Sequence, residues 1–380
     1  MIWNSQVGQI LICLLAVVLM SSDVKADSVD RRAGGTPIEG DIRQITQSGV
    51  QIRDKNGVTH TIPWDRIRDV QMTYRDPRLE DFLPMAEALW RARTRLERGD
   101  RTLAEPIFSR IFTQTRGQDH ETALMVAEGL MRARLARGAN AAAVLPMLEV
   151  IRLRRAGIRS DSFSMLPDMF DEVVSGESLC VQLPPLFART ESLQSLVKAI
   201  DSYDALGDTY VEHLAKSYRR AAEAALYSGQ ATEDRTKGHR HFIDDVIDAH
   251  WKVAAQSPSR SFRSQSDLDG QLDELPQWAK IWALYALGVQ KMGSSDLQNR
   301  DRGLVQLASV ASNRADEFPY ITGLALDRLA TELEQDGQLD SSLSLRRELQ
   351  VQLPRHPIQQ QIPPLKRTVA DREEPQEDTQ

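Results

Sequence analysis

Apolar residues recur at helical spacing in two similar phrases, "MAEALWRAR" at 85–93 and "VAEGLMRAR" at 126–134. The apolar face that begins in the first phrase consists of Met85, Ala88, Leu89, Ala92 and Leu96. Positions spaced i, i+3, i+4, i+7 and i+11 lie on one side of a helix, so this pattern predicts an amphipathic helix. The second phrase predicts another.

The same landmarks come after both phrases. They are Gly99, Asp100 and Pro106 after the first phrase, and Gly138, Asn140 and Pro146 after the second. Glycine ends helices and Asp or Asn favours helix starts, so each copy predicts a long helix, a glycine stop and a second helix. We expect a kink or a restart at each proline, because proline cannot donate the backbone hydrogen bond of a helix interior.

Repetition suggests stacking, because one helical hairpin cannot bury its apolar face alone. Similar helix pairs return between 277 and 352. These hairpins resemble the tetratricopeptide-like superfamily of α-solenoids, and their period near 40 residues resembles HEAT-type units more closely. The resemblance implies a mainly α fold, an α-solenoid of helical hairpins over 79–352. It transfers no binding residues.

A different pattern precedes the helices. From Ile38 to Met72, β-branched residues alternate with polar ones, and Asn56-Gly57 is a preferred two-residue hairpin turn. We predict a small antiparallel β module over 37–75 that resembles SH3-like or Sm-like barrels and packs on the helical region after it. Residues 27–36 are predicted to be a flexible lead.

Three other stretches lack a clear period. Residues 158–188 are rich in proline and predict short helices and loops, and the polar residues 257–276 predict a loop within the helical domain. Residues 353–380 are dominated by Pro, Gln and charged side chains, which predicts a disordered tail.

The N-terminus has the pattern of a secretory signal. The apolar run Ile10 to Met20 is shorter than the ~20 residues of a membrane-spanning helix. The small residue Ala26 predicts cleavage before Asp27, so 1–26 is a signal peptide and the protein is secreted or periplasmic. The alternative is an uncleaved anchor.

Net charge and cysteine content exclude some classes of protein. The net charge is −7, and Asp23 and Lys25 cancel within the signal, so the exported chain keeps it. An acidic chain has no general attraction to nucleic acid. Cleavage leaves Cys180 as the one cysteine, which excludes an internal disulfide, and we expect that thiol to be buried and inert.

Signature motifs of nucleotide binding and hydrolysis are absent from the sequence. The best metal-ligating set is His241, Asp245 and Asp248, which share one face of a helix. The alternative is that these residues form a solvated stripe opposite Phe242 and Val246. We expect no cofactor.

Arginine is dense between 91 and 159, where lysine is absent. The candidate binding residues are Arg91, Arg95, Arg98, Arg134 and Arg137. A groove lined by them would hold carboxylate or phosphate groups bidentately. The alternative is a solvated outer face paired with Glu87, Glu97 and Glu128.

Tryptophans offer a weaker signal. Trp278 and Trp282 lie on the apolar stripe of one helix, so we expect them in the core. Trp64 fits either a core or a stacking surface.

These patterns favour an exported, non-catalytic helical-repeat scaffold that binds a protein or a cell-envelope component. The alternatives are a metal-dependent or cryptic hydrolase, which would use the histidine–aspartate set, and a membrane-tethered assembly factor if the signal is not cleaved. The oligomeric state is left open.

Overall fold

The computed structural model describes residues 26–32, 34–174, 177–188, 192–227, 272–273, 275–312 and 317–360. The described residues form two compact units. The first unit contains the described residues within 1–130 and 156–166, and the second contains those within 131–155 and 167–360. The protein is mainly helical, with a small antiparallel sheet before the helices.

The first unit opens with five antiparallel strands in the order β4-β3-β2-β1-β5. They are β1 (Asp27–Arg31), β2 (Ile38–Thr46), β3 (Gly49–Asp54), β4 (Thr59–Ile62) and β5 (Ile67–Gln71). A 3-10 helix, Trp64–Arg66, links β4 to β5.

The predicted hairpin turn is where the sequence placed it. Asn56 and Gly57 lie between β3 and β4, and Gly57 has a φ of 81°. The Asp54 carboxylate accepts backbone N–H bonds from Asn56 and Val58, both at 2.9 Å, which closes the turn.

Residues 27–36 were expected to be a flexible lead, and this expectation was wrong for 27–31. That segment forms β1, which lies between β2 and β5 and buries Val29 completely. The cause is long-range pairing, because Ser28 lies opposite Gln71 of β5. One apolar residue among charged neighbours gives no local strand pattern.

The β module packs on the first helix, as predicted. Trp64 is fully buried and stacks on Phe82 of this helix, α1 (Leu79–Glu97), with ring centroids 4.9 Å apart. Its indole N–H donates to the Thr46 carbonyl at 2.8 Å. Trp64 is therefore a core residue. The apolar side chains that complete this core are Val29, Ile45, Val50, Ile52, Ile62, Ile67 and Val70.

Helical hairpins come after the sheet. They begin with α1 (Leu79–Glu97), α2 (Arg101–Thr115), α3 (Glu121–Ala136) and α4 (Asn140–Arg155). In the predicted stripe of α1 the residues Ala88, Leu89, Ala92 and Leu96 are buried, and Met85 is half-buried. Helices α2 and α3 meet where Phe108 covers Gly129, since a Cβ at Gly129 would lie 2.5 Å from the ring.

The predicted glycine stops are confirmed, because Gly99 and Gly138 have φ values of 83° and 78°. In each turn the next N–H bonds back to a carbonyl five residues earlier: Asp100 to Arg95 at 2.8 Å, Ala139 to Arg134 at 3.0 Å. This is a hydrogen-bonded glycine cap. The turn at Gly337 is the same, because Gln338 bonds to Leu333 at 2.8 Å.

Of the two outcomes expected at each proline, a kink or a restart, the restart does not occur. Helix α2 runs through Pro106 and α4 runs through Pro146. Each proline removes only one backbone donor, and the hydrogen bonds on either side of it hold the helix together.

The second unit is built around α4, which is buried along most of its length. It packs against β7 (Glu177–Cys180), α5 (Leu193–Asp201) and α6 (Thr209–Tyr227). Its elements after α4 are β6 (Phe170–Val174), β7 (Glu177–Cys180), α5 (Leu193–Asp201), α6 (Thr209–Tyr227), α7 (Gln277–Met292), α8 (Leu297–Ser312), α9 (Pro319–Gln335) and α10 (Leu339–Gln352). Helices α7 to α10 form the two predicted C-terminal hairpins.

Two sequence expectations are corrected in this unit. Residues 158–188 contain the β6–β7 hairpin rather than only short helices and loops, because strands this short leave no readable alternation. The predicted disordered tail 353–380 is ordered at its start, where Pro357–Gln360 forms a 3-10 helix. We call residues 353–360 the C-terminal strap. Most of the predicted loop 257–276 lies outside the described residues.

The C-terminal strap is held by His356, which is buried and stacks on Tyr320 of α9. Its Nε2 lies 2.8 Å from the Tyr320 carbonyl, which accepts, and its Nδ1 accepts the Ile358 N–H at 3.2 Å. A Cβ at Gly323 would lie 2.4 Å from the imidazole, so the glycine makes room for the ring. These partners explain the order that composition alone did not predict.

Candidate functional site

Exposed apolar side chains are concentrated on the second helix of each C-terminal hairpin. We define the α8 stripe as Leu297 and Val305, which are 72% and 69% exposed. The α10 stripe is Leu339, Leu343 and Val351, which are 58%, 41% and 79% exposed. Clustered apolar exposure of this kind is typical of interaction surfaces.

Two glycines determine which side of α8 faces α7. Gly288 of α7 and Gly303 of α8 are in close contact, because a Cβ at Gly303 would lie 2.8 Å from the Gly288 carbonyl oxygen. Leu307 and Val310 come one and two turns after Gly303 and are fully buried. The opposite side of α8, which carries the α8 stripe, is therefore directed outward.

Ion pairs attach both stripe helices to α9. Arg300 of α8 binds Asp336 at 2.6 Å and Glu332 at 3.5 Å. Arg346 of α10 binds Glu334 of the same helix α9. Buried Ser342 and Leu349 mark the inner face of α10.

The α10 stripe lies along one ridge. Leu339, Leu343, Arg347 and Val351 are four residues apart, and residues at this spacing form the i, i+4 ridge by which helices pack. Asp340 and Arg347 are exposed beside the apolar members. Neither forms an ion pair with another residue that the structure describes. The surface offers apolar contact together with charges of both signs, since Glu348 is exposed beside Arg347 as well.

The arginines predicted from the sequence lie in both units. In the first unit, Arg91 pairs with Glu87 at 3.2 Å, Arg95 donates to the Leu103 carbonyl at 3.5 Å, and Arg98 is exposed at the end of α1. Arg91 thus has one of the glutamate partners expected for a solvated outer face.

In the second unit, Arg134 donates to the Ala142 carbonyl at 2.7 Å, and Arg137 is exposed beside Gly138. Arg134 and Arg95 occupy equivalent positions, because each lies four residues before its turn glycine and bonds to a carbonyl eight residues ahead. Both guanidinium groups therefore help to close their hairpins.

Two further arginines at the end of α4, Arg152 and Arg155, are held within the second unit. Arg152 forms a buried ion pair with Glu149 at 2.9 Å. Arg155 pairs with Asp208 at 2.7 Å and lies 4.8 Å from the centre of the Tyr210 ring. These contacts fix α4 to the elements around it.

The first unit contains a buried carboxylate that sequence reasoning missed. Asp65, in the 3-10 helix after β4, is fully buried and pairs with Arg93 of α1. Burial raises the pKa of Asp65, while Arg93 and Arg66 act in the opposite direction. Ser162 Oγ lies 3.4 Å from the same carboxylate. The group joins three segments, and nothing in "TIPWDRIR" distinguishes it from a surface aspartate.

The metal-ligating candidates His241, Asp245 and Asp248 lie outside the described residues. Within the described ranges, acidic residues, histidines and cysteine form no cluster suited to a metal ion. The thiol of Cys180 is buried, as expected, and burial raises its pKa to about 12. It is protonated at neutral pH and is a poor nucleophile.

Comparison of the chain with protein-family models, with curated proteins and with solved structures returned no match. None of the helices in the described residues combines the length and the apolar character that crossing a bilayer requires.

Proposed function

We propose that this protein is an exported, non-catalytic scaffold of helical repeats. It binds another protein or a proteinaceous component of the cell envelope through the α8 and α10 stripes. The proposal combines the sequence pattern of export and repetition with the exposed surface of the C-terminal hairpins.

The observation that carries the proposal is the apolar exposure of these two helices. Burying apolar surface is favourable by about 25 cal/mol per Å², so the stripes leave stabilisation unused in the isolated chain. Binding of a partner that covers both stripes would bury this apolar surface and gain that stabilisation. Ordinary surface helices place such side chains inward, as α8 does with Leu307 and Val310.

Local geometry supports the repeat architecture. The turns at Gly99, Gly138 and Gly337 share one hydrogen-bonding pattern. Equivalent arginines, Arg95 and Arg134, close two of these hairpins. Repeated units of this kind are what a solenoid of helix pairs requires. The meander β1 to β4, with β5 returning to β1, suits the SH3-like module proposed for the N-terminus.

The test is site-specific photo-crosslinking in the envelope fraction of the source cells. A photoreactive residue replaces Val305 in one variant and Val351 in another, and the matched control carries it at Met165, which is 90% exposed in the first unit. We expect a discrete protein adduct from the stripe positions and none from Met165. Equal labelling at all three positions, or no adduct from either stripe, would contradict the proposal.

A further inference from the structure

We infer that the α10 stripe is a self-association surface and that its occupant is the α10 stripe of a second copy of this chain, packed antiparallel across a two-fold axis. The inference rests on the proposed function, because it assigns an occupant to one of the two proposed binding stripes. The charges beside the stripe select this occupant.

Charge order along α10 makes the stripe self-complementary. Asp340 lies in the first turn and Arg347 lies two turns later, both exposed beside the apolar members. An antiparallel second copy reverses this order, so an acidic end meets a basic end twice. Two antiparallel helix dipoles also attract rather than repel.

The apolar residues of the α10 stripe also face one another under the same two-fold rotation. With the two-fold axis midway between Leu343 and Arg347, Leu339 lies opposite Val351 of the second copy. Leu343 then contacts the aliphatic stem of the opposing Arg347. The guanidinium of that arginine is one helical turn from Asp340, within the length of its side chain. Identical i, i+4 ridges interdigitate, and a two-fold contact requires the same patch on both partners.

The area of the α10 stripe limits the affinity of the proposed dimer. Helix α10 has 14 residues and is about 21 Å long, so it covers less than the roughly 800 Å² per partner of a standard interface. We expect a weak dimer, populated near about 100 µM protein and dissociated near about 1 µM.

Analytical ultracentrifugation of the purified protein over this concentration range tests the inference. Asp340→Arg and Arg347→Asp should each raise the dimer dissociation constant about tenfold, because each places like charges together. The double variant should return it to within about threefold of the wild-type value. Arg110→Asp, which reverses an exposed arginine of α2, is the matched control and should have no effect. Far-UV circular dichroism confirms that each variant is folded.

Three results would overturn the inference: a monomer at every concentration, a dimer insensitive to Arg347→Asp, or a double variant as weak as the singles. The outcome is separable from that of the proposed function. A monomeric protein whose Val305 and Val351 variants still crosslink a different protein loses the self-association and keeps the scaffold role. A self-adduct at Val351 supports the self-association, whereas the scaffold role requires an adduct with a different protein.

Discussion

At the scale of a residue, His356 is a buried side chain whose protonation would cost a hydrogen bond of the C-terminal strap. Burial lowers its pKa to about 4, and the hydrogen bond to the Tyr320 carbonyl only partly opposes this effect. The neutral ring is required, because Nδ1 accepts the Ile358 N–H while Nε2–H donates to Tyr320. A proton on Nδ1 would break the first of these bonds.

The lowered pKa predicts acid destabilisation. The unfolded chain gains a proton near pH 6.5 and the folded chain near pH 4. The contribution of His356 is therefore complete above pH 6.5 and falls by about 3 kcal/mol as the pH drops towards 4. Denaturant unfolding of the wild type and of His356→Gln across this range measures the difference. The difference in unfolding free energy between the wild type and His356→Gln should narrow on acidification.

At the scale of an element, the turn between α3 and α4 does more than reverse the chain. Gly138 and Gly337 have nearly the same φ, 78° and 79°. A Cβ at Gly337 meets no atom within 4 Å, whereas one at Gly138 would lie 2.2 Å from the Arg355 carbonyl oxygen. The C-terminal strap thus packs directly on the α3–α4 turn, and only glycine leaves room for it.

This difference predicts unequal costs for the same substitution. Gly337→Ala should lower the free energy of unfolding by about 1 kcal/mol, which is the cost of placing alanine in the left-handed region. Gly138→Ala should cost about 2 kcal/mol more, because a backbone atom must move. Hydrogen exchange of the Ile358 amide gives a second readout, with protection lost in Gly138→Ala alone. Equal costs and unchanged exchange would mean that the strap is not seated on the turn.

The same elements show how much could be predicted from the sequence. Helical hairpins were predictable because the period of Leu89, Ala92 and Leu96 and the stop at Gly99 are local signals. Strand β1 was not, because its partners are Gly40 and Gln71 and its own five residues hold one buried apolar side chain. Neither hydrophobic periodicity nor composition predicts that a histidine in a Pro-rich tail is buried.

The candidate site was predictable only in part. Arg91, Arg95 and Arg134 were predicted to line a binding groove, and the structure gives them local partners within the hairpins. The α10 stripe was missed because the sequence alone does not distinguish the exposed Leu343 from the buried Leu349. Only the packing of α10 on α9 decides that Leu349 is buried and Leu343 is exposed.

At the scale of the whole molecule, the sheet restricts where an export signal can be removed. Strand β1 begins at Asp27, whose carboxylate accepts the Thr73 N–H at 2.9 Å. Loss of β1 would unpair one side of both β2 and β5 and leave a cavity where Val29 is buried. Cleavage after Ala26 keeps all five strands, whereas cleavage a few residues later would remove the strand that joins the two halves of the sheet.

If the protein is exported as proposed, this restriction predicts the residue at which the mature chain begins. Intact mass and N-terminal sequencing of material recovered outside the cytoplasm should give a chain that begins at Asp27. Ala26→Arg should block processing and hold the protein at the membrane, while Ala26→Ser keeps a small residue at the cleavage site and should be processed normally. A folded product that begins between 28 and 31 would contradict the role given to β1. An unprocessed wild type at the membrane would instead favour a tethered assembly factor, with α10 still available to pair with a second copy.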